Sequence, residues 1–168
     1  MLNLTVDLDI VELSPDLETT HKLLREALKK SASTKQSISI GGARHSMGRQ
    51  SLNRRGIYID TTNFNAMQLD EKSNTLKVQA GARWKDIIAY LHPFNRAVAV
   101  MQTNHDFSVG GTLSVNAHGW QYGMGPFGST VQAFDLMLAD GTIQRCSPTE
   151  NTELFGLVIG GYGLFGII

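Results

Sequence analysis

A single cysteine, Cys146, rules out any disulfide within the chain and makes a reduced, cytoplasmic setting the default expectation. Net charge is equally scarce. Lys and Arg number 15 and Asp and Glu number 15, which removes the electrostatic footprint of a nucleic-acid or acidic-membrane binder. No apolar run is long enough to span a bilayer, and Met1–Asp7 lacks the basic region and apolar core of a secretion signal. The five histidines, His21, His45, His92, His105 and His118, lack ligand spacing, so no metal site is expected. A Ser-His-acid set is missing too. There is no internal repeat, low-complexity tract or domain linker. What remains is an ordinary globular composition, 42% hydrophobic and 18% charged over 168 residues, enough for one domain with a core of its own.

Glycine is the abundant residue. The 17 glycines cluster at 41–48, 110–128 and 156–166. They stand among Val, Leu, Phe, Trp and His rather than in the Ser-rich polar company of flexible spacers. This pattern points to tight backbone approach. Around the clusters the element signals are clear. Ile10–Leu13 reads as a strand. Ser14 as N-cap and Pro15 at the first helical position start a helix through about residue 31, with Leu17, Leu23, Leu24, Ala27 and Leu28 on its apolar face. Ser37–Ile40 closes a strand–helix–strand unit, and Gly56–Asp60 is a third strand. Hairpins are expected at 67–78 and, around Asp140-Gly141, at 131–146. Further expectations are a helix over 82–91, a strand over 97–101, a short helix after Gly111, a helix carrying Leu154, Phe155 and Leu157 that Thr149-Glu150-Asn151-Thr152-Glu153 caps and Gly160-Gly161 ends, and a strand over 164–168. Ending on that apolar strand, the chain reads as a domain cut from a longer polypeptide.

The segment Ile38-Ser39-Ile40-Gly41-Gly42-Ala43-Arg44-His45-Ser46-Met47-Gly48 carries the most chemistry. Glycines let the backbone turn sharply and come close to a ligand. Consecutive N–H groups in such a turn form a concave anion site, to which Arg and Ser add donors. A phosphate cradle of this kind points to a bound dinucleotide. Gly161-Tyr162-Gly163-Leu164-Phe165-Gly166 matches G-x-G-x-x-G, but a helix precedes it and a strand follows, the reverse of the Rossmann order.

Three motifs run in order: Gly41-Gly42-Ala43-Arg44-His45-Ser46, then Ser108-Val109-Gly110-Gly111-Thr112-Leu113-Ser114-Val115-Asn116-Ala117-His118-Gly119, then Gly160-Gly161-Tyr162-Gly163-Leu164-Phe165-Gly166-Ile167-Ile168. Phe134–Gly141 stands between the last two. The set resembles the FAD-binding domain of the vanillyl-alcohol oxidase (PCMH-type) family of flavoproteins, most similar to its alditol oxidase, aldonolactone oxidase and decaprenylphosphoryl-ribose oxidase branches. The resemblance covers about residues 9–168. It implies an α+β fold of two subdomains, a small, mainly parallel one over about 8–62 and a larger, mainly antiparallel one with helices over about 63–168, with FAD between them. A substrate domain that would follow is not in the chain.

The resemblance also implies roles. Gly41, Gly42, Ala43, Arg44, His45 and Ser46 would hold the FAD pyrophosphate. Ser108, Val109, Gly110, Gly111 and Thr112 would approach the isoalloxazine and ribityl chain, with Thr103 in the same region. Asn116 and His118 would lie near the flavin's polar edge or the substrate face, and are the catalytic candidates. Gly161, Gly166 and Ile167 would pack on the cofactor, Ile167 toward the adenine. Three readings stand for His45: a covalent bond to the flavin 8α-methyl carbon, non-covalent contact, or neither. Asn116 as a side-chain cap and His118 as a structural histidine are the rival readings there. Trp84, Trp120 and Phe127 read as core or lid residues, and Cys146 as a strand residue.

The activity implied is hydride transfer from an alcohol carbon of a sugar, polyol or lactone to flavin N5. The alternatives are an FAD-binding module without catalysis of its own, completed by a missing domain or partner chain, and a reductase of enolpyruvyl sugars. An exposed apolar edge strand near the C-terminus would favour a homodimer.

Overall fold

The computed structural model describes residues 9–46, 48 and 51–168. The start of the first subdomain at residue 8, and Met47 in the glycine loop, lie outside the described residues.

Strands β1 (Asp9–Glu12), β2 (Ile38–Gly41) and β3 (Ile57–Asp60) form a parallel sheet in the order β1-β3-β2. All four β3 residues are buried, as expected of the central strand of a parallel sheet. Helix α1 (Leu17–Thr34) makes the crossover between β1 and β2. The strand–helix–strand unit is present, with β3 inserted between its two strands. In register, Gly41 lies beside Asp60, so the loop after β2 leaves from the carboxyl edge of the sheet. That edge is where open α/β sheets bind ligands.

The helix start differs from the expectation. Asp16, not Ser14, is the N-cap, and its carboxylate accepts from the Thr19 N–H at 2.8 Å. Ser14 Oγ is already committed, accepting from the Asp16 N–H at 3.1 Å. The helix therefore begins beyond Pro15 and runs three residues past the expected end, to a left-handed Lys35 with φ 57°. Leu17, expected on the apolar face, is exposed.

The remaining chain is antiparallel and helical. Strands β4 (Met67–Asp70) and β5 (Thr75–Val78) form one hairpin, and β6 (Phe134–Met137) and β7 (Ile143–Cys146) another. Asp70 and Asp140 close the turns by accepting backbone N–H bonds from Lys72 and Thr142, each at 2.9 Å. Helices α2 (Trp84–Leu91), α3 (Val109–Ser114) and α4 (Thr152–Val158) pack around them. Helix α3 begins before Gly110-Gly111 rather than after.

Two expected strands do not form. Residues 97–101 are irregular: Val100 is buried as an apolar anchor, but no neighbouring strand offers a ladder. Over 164–168 only Ile167 pairs, in an isolated antiparallel bridge to Met137. Positive φ at Gly160, Tyr162, Gly163 and Gly166 keeps the preceding backbone turning.

Three apolar clusters hold the fold. One joins the parallel sheet to the rest through Leu13, Leu24, Ile59, Phe64, Met137 and Ile167. Another centres on Trp84, Ile87 and Leu91, and a third on Leu113, Leu136, Cys146 and Val158. A cavity of about 880 Å³ opens between the two hairpins, lined by residues such as Leu24, Phe64, Val78, Val100, Phe134 and Ile167.

Candidate cofactor site

The loop after β2 is built to expose backbone donors. Among the described residues, the N–H groups of Gly42, Ala43, Arg44 and His45 donate to no other group. Arg44 takes a left-handed backbone with φ 58°, the kind of turn from which anion-binding concavities are built. The tightness is fixed by neighbours. A Cβ on Gly41 would overlap the buried Tyr58 ring, and one on Gly42 would lie 2.5 Å from Ser108 Oγ. Gly42 therefore meets Ser108, the N-cap residue of α3, and the first two sequence motifs come together here.

The Arg44 guanidinium pairs with Asp60 and lies 5.4 Å over the Tyr58 ring, so its charge is directed to the sheet edge. Burial pushes the Asp60 carboxyl up, but bonds from the Thr62 hydroxyl and N–H, with Arg44 beside it, outweigh that and hold it below its ordinary value. Burial likewise pushes the Tyr58 hydroxyl up.

His45 reaches across to the second half of the chain. Its Nε2 is 2.9 Å from Asp106 Oδ2, and its ring sits 4.6 Å from that of Phe107. The other Asp106 oxygen takes Lys85 Nζ at 2.6 Å and Arg83 Nη1 at 3.0 Å. Lys85 first, then His45 and Arg83, hold this carboxyl far below the usual carboxylate range. Backbone pairing sets the cluster. The Lys85 N–H donates to His105 O at 2.7 Å, and Arg83 bridges Ser108.

The family described as FAD binding domain matches residues 18–147. The chain belongs to this FAD-binding domain family. Its fold is that of the PCMH-type flavoproteins, and its cofactor is FAD. An uncharacterized oxidoreductase from the fasciation locus of Rhodococcoides fascians is 32% identical over 86% of this chain and 33% of that protein. Decaprenylphosphoryl-beta-D-ribose oxidase from Mycolicibacterium smegmatis is 28% identical over 76% of this chain and 28% of that protein. The solved 6-hydroxy-D-nicotine oxidase from Arthrobacter nicotinovorans superposes with a TM-score of 0.82 at 22% identity, over 94% of this chain and 34% of that one. The chain thus spans about a third of the length of the relatives it matches.

The loop fits the pyrophosphate of FAD: four N–H groups lack a described partner, and the side chains of Tyr58 and Ser108 leave no room for a Cβ at Gly41 or Gly42. The other residues of this FAD-binding domain fall into separate groups. Ser108 and Thr112 are buried at α3, where Trp84 Nε1 donates to Thr112 Oγ1 at 2.8 Å, so Trp84 is a core residue. Gly111 is exposed, whereas Gly110 packs on Ala80, whose Cβ would sit 2.9 Å from an added one. Val109, Gly110 and Ile167 line the apolar cavity, away from the loop. Asn116 acts as a cap, its Oδ1 accepting from the Gly128 N–H at 2.9 Å. His118 and Thr103 are exposed, and His118 has Nδ1 3.4 Å from Gly119 O. Gly161 packs under Phe165, and Gly166 against Leu136. Trp120 is exposed, and Cys146 is a buried strand thiol. The sequence reading missed Asp106, Arg83, Lys85 and Asp60. Asp60-Thr61-Thr62, an acid followed by hydroxyls at a strand end, was the one local signal. Among the described residues, no helix is long and apolar enough to cross a membrane.

Proposed function

We propose that the chain is the cofactor domain of an FAD-dependent oxidoreductase that takes hydride from a substrate alcohol carbon, in a sugar, polyol or lactone, to flavin N5. Gly41–Ser46 holds the pyrophosphate, and His45 carries the flavin covalently through the 8α-methyl carbon. The observation behind this reading is the loop of unpartnered N–H groups with His45 set beside it against Asp106. The flavin supplies the redox chemistry; the protein binds and orients it and tunes its electronics. Acid denaturation after incubation with FAD tests the attachment. A coloured pellet, with added mass on the peptide holding His45, is expected; colour released to the supernatant would overturn it.

A second reading is a binding module that needs another domain or chain to turn over. The coverage of only about a third of its relatives favours it. Assay with a panel of polyols, lactones and sugar alcohols separates the two: a yellow but inert protein is the module. Pairing of two copies belongs to this reading; the C-terminal edge strand expected to mediate it does not form, since over 164–168 only Ile167 pairs, and sedimentation measures whether dimers form without it.

A further inference from the structure

We propose that Asp106 is a positioning residue for flavin attachment: it fixes His45 as the Nε2–H tautomer and leaves Nδ1 as the ring's nucleophile. The proposal rests on the covalent reading of His45 and adds to it the residue and the nitrogen that make the bond possible.

The pairing of the imidazole is one-sided. Nε2 lies 2.9 Å from Asp106 Oδ2, and among the described residues Nδ1 has no hydrogen-bond partner. Lys85 and Arg83 on the other oxygen keep Asp106 ionised, so it only accepts, and the proton in the His45 bond belongs to Nε2. A neutral imidazole has one N–H. With that proton on Nε2, the lone pair available for bonding is on Nδ1. The ring is held from a second side by Phe107, tilted 50° to it. Phe107 and Asp106 are neighbours on the segment paired with Arg83–Lys85, so both supports of His45 come from one backbone feature.

In the bond-forming step, the Nδ1 lone pair makes an N–C bond to the 8α-methyl carbon. One C–H bond of that carbon breaks; its proton goes to solvent and its electron pair to the isoalloxazine. Dioxygen takes up that pair with two protons as hydrogen peroxide, restoring the oxidised ring. Forming the bond makes the imidazole a cation, with Nε2–H still on Asp106. The same carboxylate thus selects the tautomer and balances the charge that develops.

Asp106→Asn makes a distinctive case. Lys85 and Arg83 require an acceptor, so the amide oxygen faces them and the NH₂ faces His45. It then donates to Nε2, moves the ring proton to Nδ1 and blocks the nucleophile. Long-range ¹H–¹⁵N correlation spectra of the histidine-labelled apoprotein read the tautomer directly. Nε2–H is expected in wild type and Nδ1–H in Asp106→Asn. Attachment is followed by mass on the His45 peptide after FAD is added in air, at matched non-covalent occupancy. We expect at least a ten-fold slower rate in Asp106→Asn, partial recovery in Asp106→Glu, and an Nδ1-substituted imidazole in the wild-type adduct.

An Nδ1–H wild type, an Nε2 adduct, or an unchanged rate in Asp106→Asn overturns this proposal alone. Wild type that binds FAD but never attaches it overturns the covalent reading and this proposal together. The wild-type tautomer needs no variant, so a misfolded Asp106→Asn still leaves the test decisive.

Discussion

At the scale of single residues, the site is shaped by atoms that exclude a side chain. Gly42→Ala would put a Cβ 2.5 Å from Ser108 Oγ and 3.0 Å from Ser108 Cβ, so α3 must move or the loop must open. Overpacking of this kind costs about 1–3 kcal/mol. We expect that loss in urea unfolding, with FAD affinity down at least ten-fold in flavin-fluorescence titration. Asp60 supports the same loop through charge. Its carboxyl is held below the ordinary value in the fold, so in acid the unfolded chain binds more protons than the native one. Its contribution is complete above the unfolded value, about 4, and is lost as pH falls through the lower folded value. Asp60→Asn is therefore expected to lower stability at pH 7 by about 1.5–3 kcal/mol, the worth of hydrogen bonds to a charged group. The variant should also show a flatter decline below pH 4 than wild type. Asp16, Asp70, Asp106 and Asp140 are depressed as well, so the difference between variant and wild type, not the wild-type curve alone, isolates Asp60.

At the scale of elements, the start of α1 separates two serviceable caps. Asp16→Ala removes the side chain that accepts from Thr19 N–H and should cost about 1 kcal/mol. Ser14→Ala loses only the brace on Asp16 N–H and should cost less; equal losses in denaturant midpoints would mean the cap is shared. Elements with a local signature were legible in the sequence. The parallel strands, α1 and both hairpins follow from apolar pattern and turn chemistry, with Asp70 and Asp140 marking the turns. Residues 97–101 and 164–168 misled because apolar content reports burial, whereas a strand also needs a partner edge, which is a tertiary fact. The site divided in the same way. The run of backbone donors over Gly42–His45 was readable because a glycine turn is written in consecutive residues. Asp106 was not, because its meaning depends on 80–85 pairing with 105–110 and on His45 arriving from another sheet. Asn116 looked chemical but caps Gly128, a bond that the left-handed Asn116 backbone at φ 45° sets up and no periodicity reveals.

At the scale of the whole molecule, the apolar cavity and the polar cradle are in different places. The cavity of about 880 Å³ lies between the β4–β5 and β6–β7 hairpins, and none of residues 41–46 lines it. The largest apolar pocket is the usual first choice for a ligand site. A pyrophosphate, however, needs donors aimed at it, and burying its charge without them is costly. The donors are at the carboxyl edge of the parallel sheet, where Gly41 registers with Asp60. The cavity walls instead carry apolar residues of both hairpins, such as Val78 and Phe134, which an apolar probe can cover. The native protein should therefore bind the dye ANS without denaturant while keeping its near-UV circular dichroism. None of residues 41–46 lines the cavity, so FAD and the dye should bind together, and Val109, Gly110 and Ile167, which the resemblance sets against the cofactor, would then not touch it. Equilibrium dialysis of both ligands against one protein sample measures this free of optical overlap. Bound dye that stays constant as FAD saturates is the expected result, whereas mutual displacement would move the cofactor from the loop at Gly41–Ser46 into the space between the hairpins.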